Sequence, residues 1–154
     1  KRPLGQDWLN GPLVWASDRA HQALYLFPRD CPRIVVWPVS NSVKSDIHRV
    51  WNGSPARMIA YVETAWMERI GTASLWRYRL PPDTFIDLED AGMWVSFHTI
   101  KPADCARVTE LQDRLAENGT ELRPIDDLSS LKPLWQTSLH VSGIRLRNAQ
   151  SWHD

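Results

Sequence analysis

The stretch 11–33, GPLVWASDRAHQALYLFPRDCPR, decides how the rest of the chain is read. Pro12 to Ala16 is short and apolar, which predicts a strand. Ser17 or Asp18 follows in N-cap position, where a side-chain oxygen accepts from a free N–H of a helix's first turn. Ala20, Ala23, Leu24 and Phe27 then fall at i, i+3, i+4 and i+7, the buried stripe of a helix. Pro28 ends that helix, because its ring and missing N–H cannot continue it. The exit turn from Pro28 to Arg33 is stiffened by two prolines and carries two arginines. From Arg33 to Val39 the continuous apolar run Ile34-Val35-Val36-Trp37 reads as a strand at a sheet centre.

Outward from this stretch, Ser42 is placed to cap a helix with Val43, Ile47, Val50 and Trp51 on one face, stopped at Asn52-Gly53. Arg57 to Val62 reads as a third strand. Glu63 to Ile70 reads as a helix with Trp66 and Ile70 inward. Ser74 to Leu80 alternates, setting Leu75, Arg77 and Arg79 opposite Trp76, Tyr78 and Leu80, the pattern of a half-buried strand. Phe85 to Leu88 and Met93 to His98 read as strands around a break at Ala91-Gly92. Thr109 to Glu117 is a predicted helix with Val108, Leu111 and Leu115 inward, and Glu121 to Ile125 a strand. A helical stretch broken at Pro133 follows from Asp126 to Leu139, and Ile144 to Leu146 is a last strand or an extended tail. Residues 1 to 11 read as an irregular arm that Trp8 pins to the body. The expectation is one α+β domain over 1–154, its short helices punctuating a twisted, mostly antiparallel sheet, continuous or split. Lys1 opens the sequence without a methionine, so further residues are expected upstream.

A chain of 154 residues can bury roughly two-thirds of its unfolded surface. Lys and Arg together number 18, as do Asp and Glu. That balance argues against general nucleic-acid binding, which needs excess basic charge to displace phosphate counterions, while leaving room for a local basic groove. No apolar run approaches the roughly 18 residues of a membrane helix. Cys31 and Cys105 show neither CxxC nor Cys/His spacing, and the histidines form no HxxxH pair, so no metal site is expected. Two free thiols in a reducing cytoplasm is favoured over a Cys31–Cys105 bridge.

Four segments carry a family resemblance: VWA at 14–16, FPRDCPR at 27–33, WVS at 94–96 and SGIRLRNAQ at 142–150. Together they resemble a bacterial family of domains of unknown function, over nearly the whole chain. At the level of fold, the VWAS strand and the helix after it resemble the ADP-ribosyltransferase-like fold. That resemblance implies a split sheet holding NAD or another nucleotide in a central cleft. It also implies a catalytic glutamate on the strand that matches Gly92 to Ser96. This chain has Gly92, Met93 and Trp94 there, and the nearest acids, Glu89 and Asp90, precede the break. The histidine expected on the first strand is not in the sequence. Fold likeness does not settle function, and no catalytic residue is assigned.

The residues themselves point to an anionic small molecule. Arg29 and Arg33 flank a rigid turn. Arg145 and Arg147 alternate, so they share a face of an extended tail. Guanidinium groups fork onto phosphate or carboxylate oxygens. Trp15 and Trp94 can wall a base by stacking, and Ser17, Ser96 and Asn148 offer hydrogen bonds. The plainer alternative has Arg29 bridging Asp30 and the other two forming a solvated edge. A second function class, a structural or protein-interaction domain with a homodimer as one form, rests on nine tryptophans, with Trp8 and Trp152 near the ends. A third places His140 with Ser142 and Asp126 or Asp127 in a nucleophilic triad, without a GxSxG elbow.

Overall fold

The run Ile34–Trp37 lies where its composition places it, inside a four-stranded sheet. The computed structural model describes Leu9 and residues 11–152. Its strands are β1 (Val14–Ser17), β2 (Arg33–Trp37), β3 (Met58–Glu63), β4 (Leu75–Arg79), β5 (Ile86–Asp87), β6 (Met93–Ser96), β7 (Asp104–Val108), β8 (Thr120–Ile125) and β9 (His140–Ile144). The α-helices are α1 (Lys44–Trp51), α2 (Met67–Thr72) and α3 (Leu111–Glu117). Short 3₁₀ segments lie at Gln22–Tyr25, Thr64–Trp66, Leu128–Gln136 and Leu146–Asn148. The fold is α+β with mostly antiparallel pairing, and its strands are split among sheets ordered β8-β3-β2-β9, β1-β6-β5 and β4-β7. The chain divides into two compact units, residues 1–22 with 76–108 and residues 23–75 with 109–154.

In the larger unit β2 and β3 are buried along their whole length. β2 runs antiparallel to β3 and to β9, whereas β3 and β8 are parallel. A parallel pair needs a long crossover, and the chain between Glu63 and Thr120 supplies it. Ile34, Val36, Ile59 and Tyr61 of the sheet pack with Val50 and Trp51 of α1 and with Leu128 and Leu139. Leu111 and Leu115 of α3 and Ile70 of α2 are fully buried.

The cap of α1 differs from the sequence expectation. Val43, not Ser42, is the N-cap, and it is 50% exposed rather than on the buried face. The cap oxygen comes from a distant residue: Val43 N donates to Ser138 Oγ at 2.8 Å. Ser138 N and Oγ in turn donate to Asp46 in the first turn of α1, at 2.8 and 2.7 Å. Ser42 Oγ donates to the Ser138 carbonyl instead. A carboxylate near a helix N-terminus also meets the favourable end of the helix dipole.

In the smaller unit β6 lies between β1 and β5, over a core of Leu9, Leu88 and Val95 with Leu13 and Met93 against it. The helix expected from Ser17 to Phe27, a stretch shared between the units, is reduced to the single turn Gln22–Tyr25. Asp18 does accept from His21 N at 2.7 Å, the N-cap bond expected of it, but the helical segment that follows is one 3₁₀ turn. Pro28 disfavours the α region for Phe27 at the other end. Ala23, Leu24 and Phe27 are buried as expected, while Ala20 is exposed. Ser74 to Leu80 is a strand but not a half-buried one, since Trp76 and Tyr78 are each more than half exposed. Its partner β7 went unread in the sequence, because DCARV offers no apolar alternation.

The C-terminal expectations shift as well. The last strand is His140–Ile144, not Ile144 to Leu146. The stretch after Asp126 is a 3₁₀ segment that continues through Pro133. Trp8 lies outside the described residues, as does most of the expected arm. Trp152 packs on the chain's own core and tilts against Trp135.

Candidate functional site

Register places one cluster at a single end of the four-stranded sheet. Arg33, the first residue of β2, sits opposite Val62 on one side and Ile144 on the other. Glu63 at the end of β3 sits opposite Ile125 at the end of β8. The Pro28–Arg33 turn, the residues after β9 and the carboxyl ends of the parallel pair therefore share this end. Open sheets with parallel strands take ligands outside such carboxyl ends.

Inside the cluster, buried groups hold the frame. Arg33 is 4% exposed. Its Nε donates to the Leu24 carbonyl at 2.7 Å and its Nη1 to the Cys31 carbonyl at 2.9 Å, with the guanidinium 5.0 Å from the Phe27 ring centre. Burial, with Arg145 contributing, lowers its pKa to about 10, so it is still a cation at neutral pH. Arg33 thus ties the turn together from within rather than facing outward. Cys31 is fully buried, and burial pushes its thiol up to about 12. Both cysteines are free. Glu63, also buried, accepts from Gln150 N at 2.7 Å and so anchors the tail.

The tail is not extended past Ile144, which corrects the alternating geometry expected for Arg145 and Arg147. Arg145 adopts the left-handed conformation at φ 56°, and Leu146–Asn148 forms a 3₁₀ turn closed by Asn148 N donating to the Arg145 carbonyl at 2.9 Å. Leu146 folds back over Gly143, where a Cβ would overlap its Cδ1. The fold-back brings Asn148 Nδ2 to the carbonyl oxygen of Asp30 at 2.8 Å. Arg29 and Arg147 are exposed and Arg145 is partly so. Among the described residues none of the three has a carboxylate within ion-pair distance.

The remaining expected site residues lie in the smaller unit. Trp15 is paired with Val95 and Trp94 with Ala16, so the two indoles project from opposite faces of the β1–β6 ladder and do not form one wall there. Ser17 Oγ donates to the Asp18 carbonyl at 3.3 Å. Ser96 is fully buried, and its Oγ shares a 2.8 Å hydrogen bond with Thr84 Oγ1 and accepts from His98 N at 3.2 Å. The two hydroxyls are thus engaged in local structure.

One constellation escaped sequence reasoning. Asp18 accepts from His21 N and lies 2.9 Å from His21 Nδ1, and the pair rests against Gly92. Gly92 has φ +64°, and a Cβ there would overlap both side chains. The available signal was the Asp18-x-x-His21 spacing, whose partner strand is found only through the β1–β6 register.

Two other places carry less chemistry. A depression of about 480 Å³ is lined by Tyr61, Arg123 and Leu134 among others. Arg123 forks onto both Glu121 oxygens and donates to Tyr61 Oη and to the Val50 and Trp51 carbonyls at the end of α1. Those bonds use all five guanidinium N–H groups, leaving none for a ligand. His140 stacks on Trp37 with ring centres 4.1 Å apart, while Asp126 accepts from Thr64 Oγ1 and Asp127 from Ser129. This bonding commits both acids of the triad idea elsewhere.

Fold and site together define an α+β protein with a basic rim where a buried-arginine turn meets a folded-back tail. The family model described as Family of unknown function (DUF6886) matches residues 2–149, and the chain belongs to that family. No curated protein and no solved structure matched the chain. The likeness to ADP-ribosyltransferase-like domains therefore rests on the sequence segments alone. The four resembling segments fall into two joined pairs. VWA and WVS pair within the β1–β6 ladder, and FPRDCPR and SGIRLRNAQ meet through Arg33 opposite Ile144 and Asn148 on Asp30.

Proposed function

We propose that the larger unit binds an anionic small molecule, of the phosphate-bearing class that includes nucleotides and NAD, at the rim of Arg29, Arg145 and Arg147. The observation that supports this most is the Asn148–Asp30 hydrogen bond. It draws the turn carrying Arg29 against the tail carrying the other two. Cations with no carboxylate within ion-pair distance among the described residues present forked donors to phosphate oxygens. Arg33 serves as a positioning residue, and Asn148 is kept for the frame rather than the ligand. A cytoplasmic setting accords with the free thiols.

Thermal shift with inorganic phosphate, pyrophosphate, ADP and NAD tests the reading. A ligand at about 100 times its Kd adds about 2.7 kcal/mol of stability. The wild-type midpoint is expected to rise with at least one of these ligands. The rise should vanish in Arg145→Ala/Arg147→Ala. No rise with any of them, or an equal rise in the variant, removes the proposal.

A second reading, an interaction domain without enzymatic activity, draws on a different observation. Trp76, Tyr78, Phe97 and Ile86 of the smaller unit are exposed. Light scattering tests the homodimer form of that reading. A mass that stays monomeric over a wide concentration range counts against it.

A further inference from the structure

We infer that the β4–β7 ribbon of the smaller unit binds single-stranded nucleic acid. β4 reads Leu75-Trp76-Arg77-Tyr78-Arg79, and all but Leu75 are exposed. Trp76 is 62% and Tyr78 57% exposed, unusual values for the largest side chains on a strand. Strand alternation puts both aromatic rings on one face and both arginines on the other. Among the described residues β4 pairs with no strand besides β7, so its second edge carries no strand pairing there. A chain lying along that edge meets ring faces on one side and cations on the other.

Charge and ring type together select the occupant. Arg77 and Arg79 have no carboxylate within ion-pair distance among the described residues. Across the two strands the arginines, Arg77, Arg79 and Arg107, outnumber the single acid, Asp104. An apolar protein partner seated on the ring face would leave the guanidinium groups of the opposite face without a counterpart. A single-stranded nucleic acid satisfies both: bases stack on Trp and Tyr faces, and phosphates take the guanidinium forks. The even charge balance of the whole chain speaks against a broad basic sheath, not against a ribbon of this size.

The test is fluorescence anisotropy of labelled oligo-dT and oligo-U with the full chain in about 50 mM salt. Expected is saturable binding with quenching of tryptophan emission. Trp76→Ala or Tyr78→Ala should weaken it by roughly five- to a hundredfold each. Trp76→Phe, which keeps a stacking ring, should retain most of it. Arg77→Ala/Arg79→Ala should lower the steepness of log K against log salt by about 1.4. Circular dichroism checks that each variant is folded, and Trp76→Phe carries the argument should Trp76→Ala fail that check. No binding at roughly 100 µM protein, or binding indifferent to Trp76→Ala and Tyr78→Ala, overturns the inference. So does a dimer that Trp76→Ala converts to monomer, which would assign the face to a second copy.

Discussion

The side-chain amide of Asn148 donates to the main-chain carbonyl oxygen of Asp30 over 2.8 Å, across 118 residues of sequence. It fastens the folded-back tail to the arginine turn and so sets the spacing of the proposed anion site. Asn148→Ala is expected to cost about 1 kcal/mol in denaturant unfolding and to weaken pyrophosphate binding. Asn148→Asp should weaken it further, because a carboxylate there repels both the carbonyl oxygen and the anion. Unchanged affinity in Asn148→Asp would separate this bond from the site.

Arg145 combines strain with the proposed role. A non-glycine residue at φ 56° costs about 1 kcal/mol. Arg145→Gly is therefore expected to raise the unfolding midpoint while lowering anion affinity. Opposite signs in the two measurements are the signature of a strained binding residue. A variant that loses stability and keeps affinity would contradict the assignment.

Among the described glycines, an added Cβ would meet its nearest neighbours at Gly92. Gly92→Ala meets both the left-handed φ and the overlap with Asp18 and His21. The expected destabilisation is about 2 to 4 kcal/mol by urea unfolding. His21→Ala in the same background should recover part of it by relieving the overlap. A neutral Gly92→Ala would mean the Asp18–His21 pair is not pressed on the turn.

The hydrogen bonds from Ser138 N and Oγ hold the Asp46 carboxyl below its ordinary range. The unfolded chain then takes up this proton at higher pH than the folded one. Stability from this group is present above the unfolded value of 3.8 and is lost as pH falls through the lower folded value. Asp127 follows the same direction through Ser129. Thermal melts from about pH 5 to pH 2 should show a shallower fall for Asp46→Asn than for wild type, with Asp127 accounting for part of the remainder. Parallel curves would deny the Ser138–Asp46 clasp its role.

The two thiols should behave differently. Cys105 is exposed, whereas Cys31 is buried with its thiol pushed up to about 12. Maleimide at neutral pH is expected to add once to the native protein, at Cys105, and twice after denaturation. Burial of Cys31 also has a consequence at alkaline pH. Its contribution is whole below the unfolded value of 9.0 and is lost as pH rises towards about 12. Arg33, lowered to about 10, works in the opposite sense above that value. Two adducts on the native protein would contradict the buried placement.

Much of the larger unit was legible because its signals are strong and local. Ile34–Trp37 reads as a buried strand by unbroken apolarity, and Asn52-Gly53 ends α1 with Asn52 in the left-handed region. What stayed illegible depends on partners far away in sequence. Ser138 rather than Ser42 caps α1, and nothing at residues 42 or 43 announces it. β7 is recognisable only beside β4. The two arginine segments were legible as candidates, but the alternation assumed for Arg145 and Arg147 failed because Arg145 turns the chain. The two indoles were legible as aromatic, yet only the register shows them on opposite faces.

Chemical-shift mapping on the isotope-labelled chain tests the central claim most directly. Titration with pyrophosphate is expected to move the amide signals of residues 29–31 and 145–148 together, along one binding curve, and to leave those lining the Arg123 depression in place. Arg29→Ala/Arg145→Ala/Arg147→Ala should abolish the shifts. Shifts spread over the surface without saturation, or a saturating set centred elsewhere, would contradict an anion site at the meeting of turn and tail.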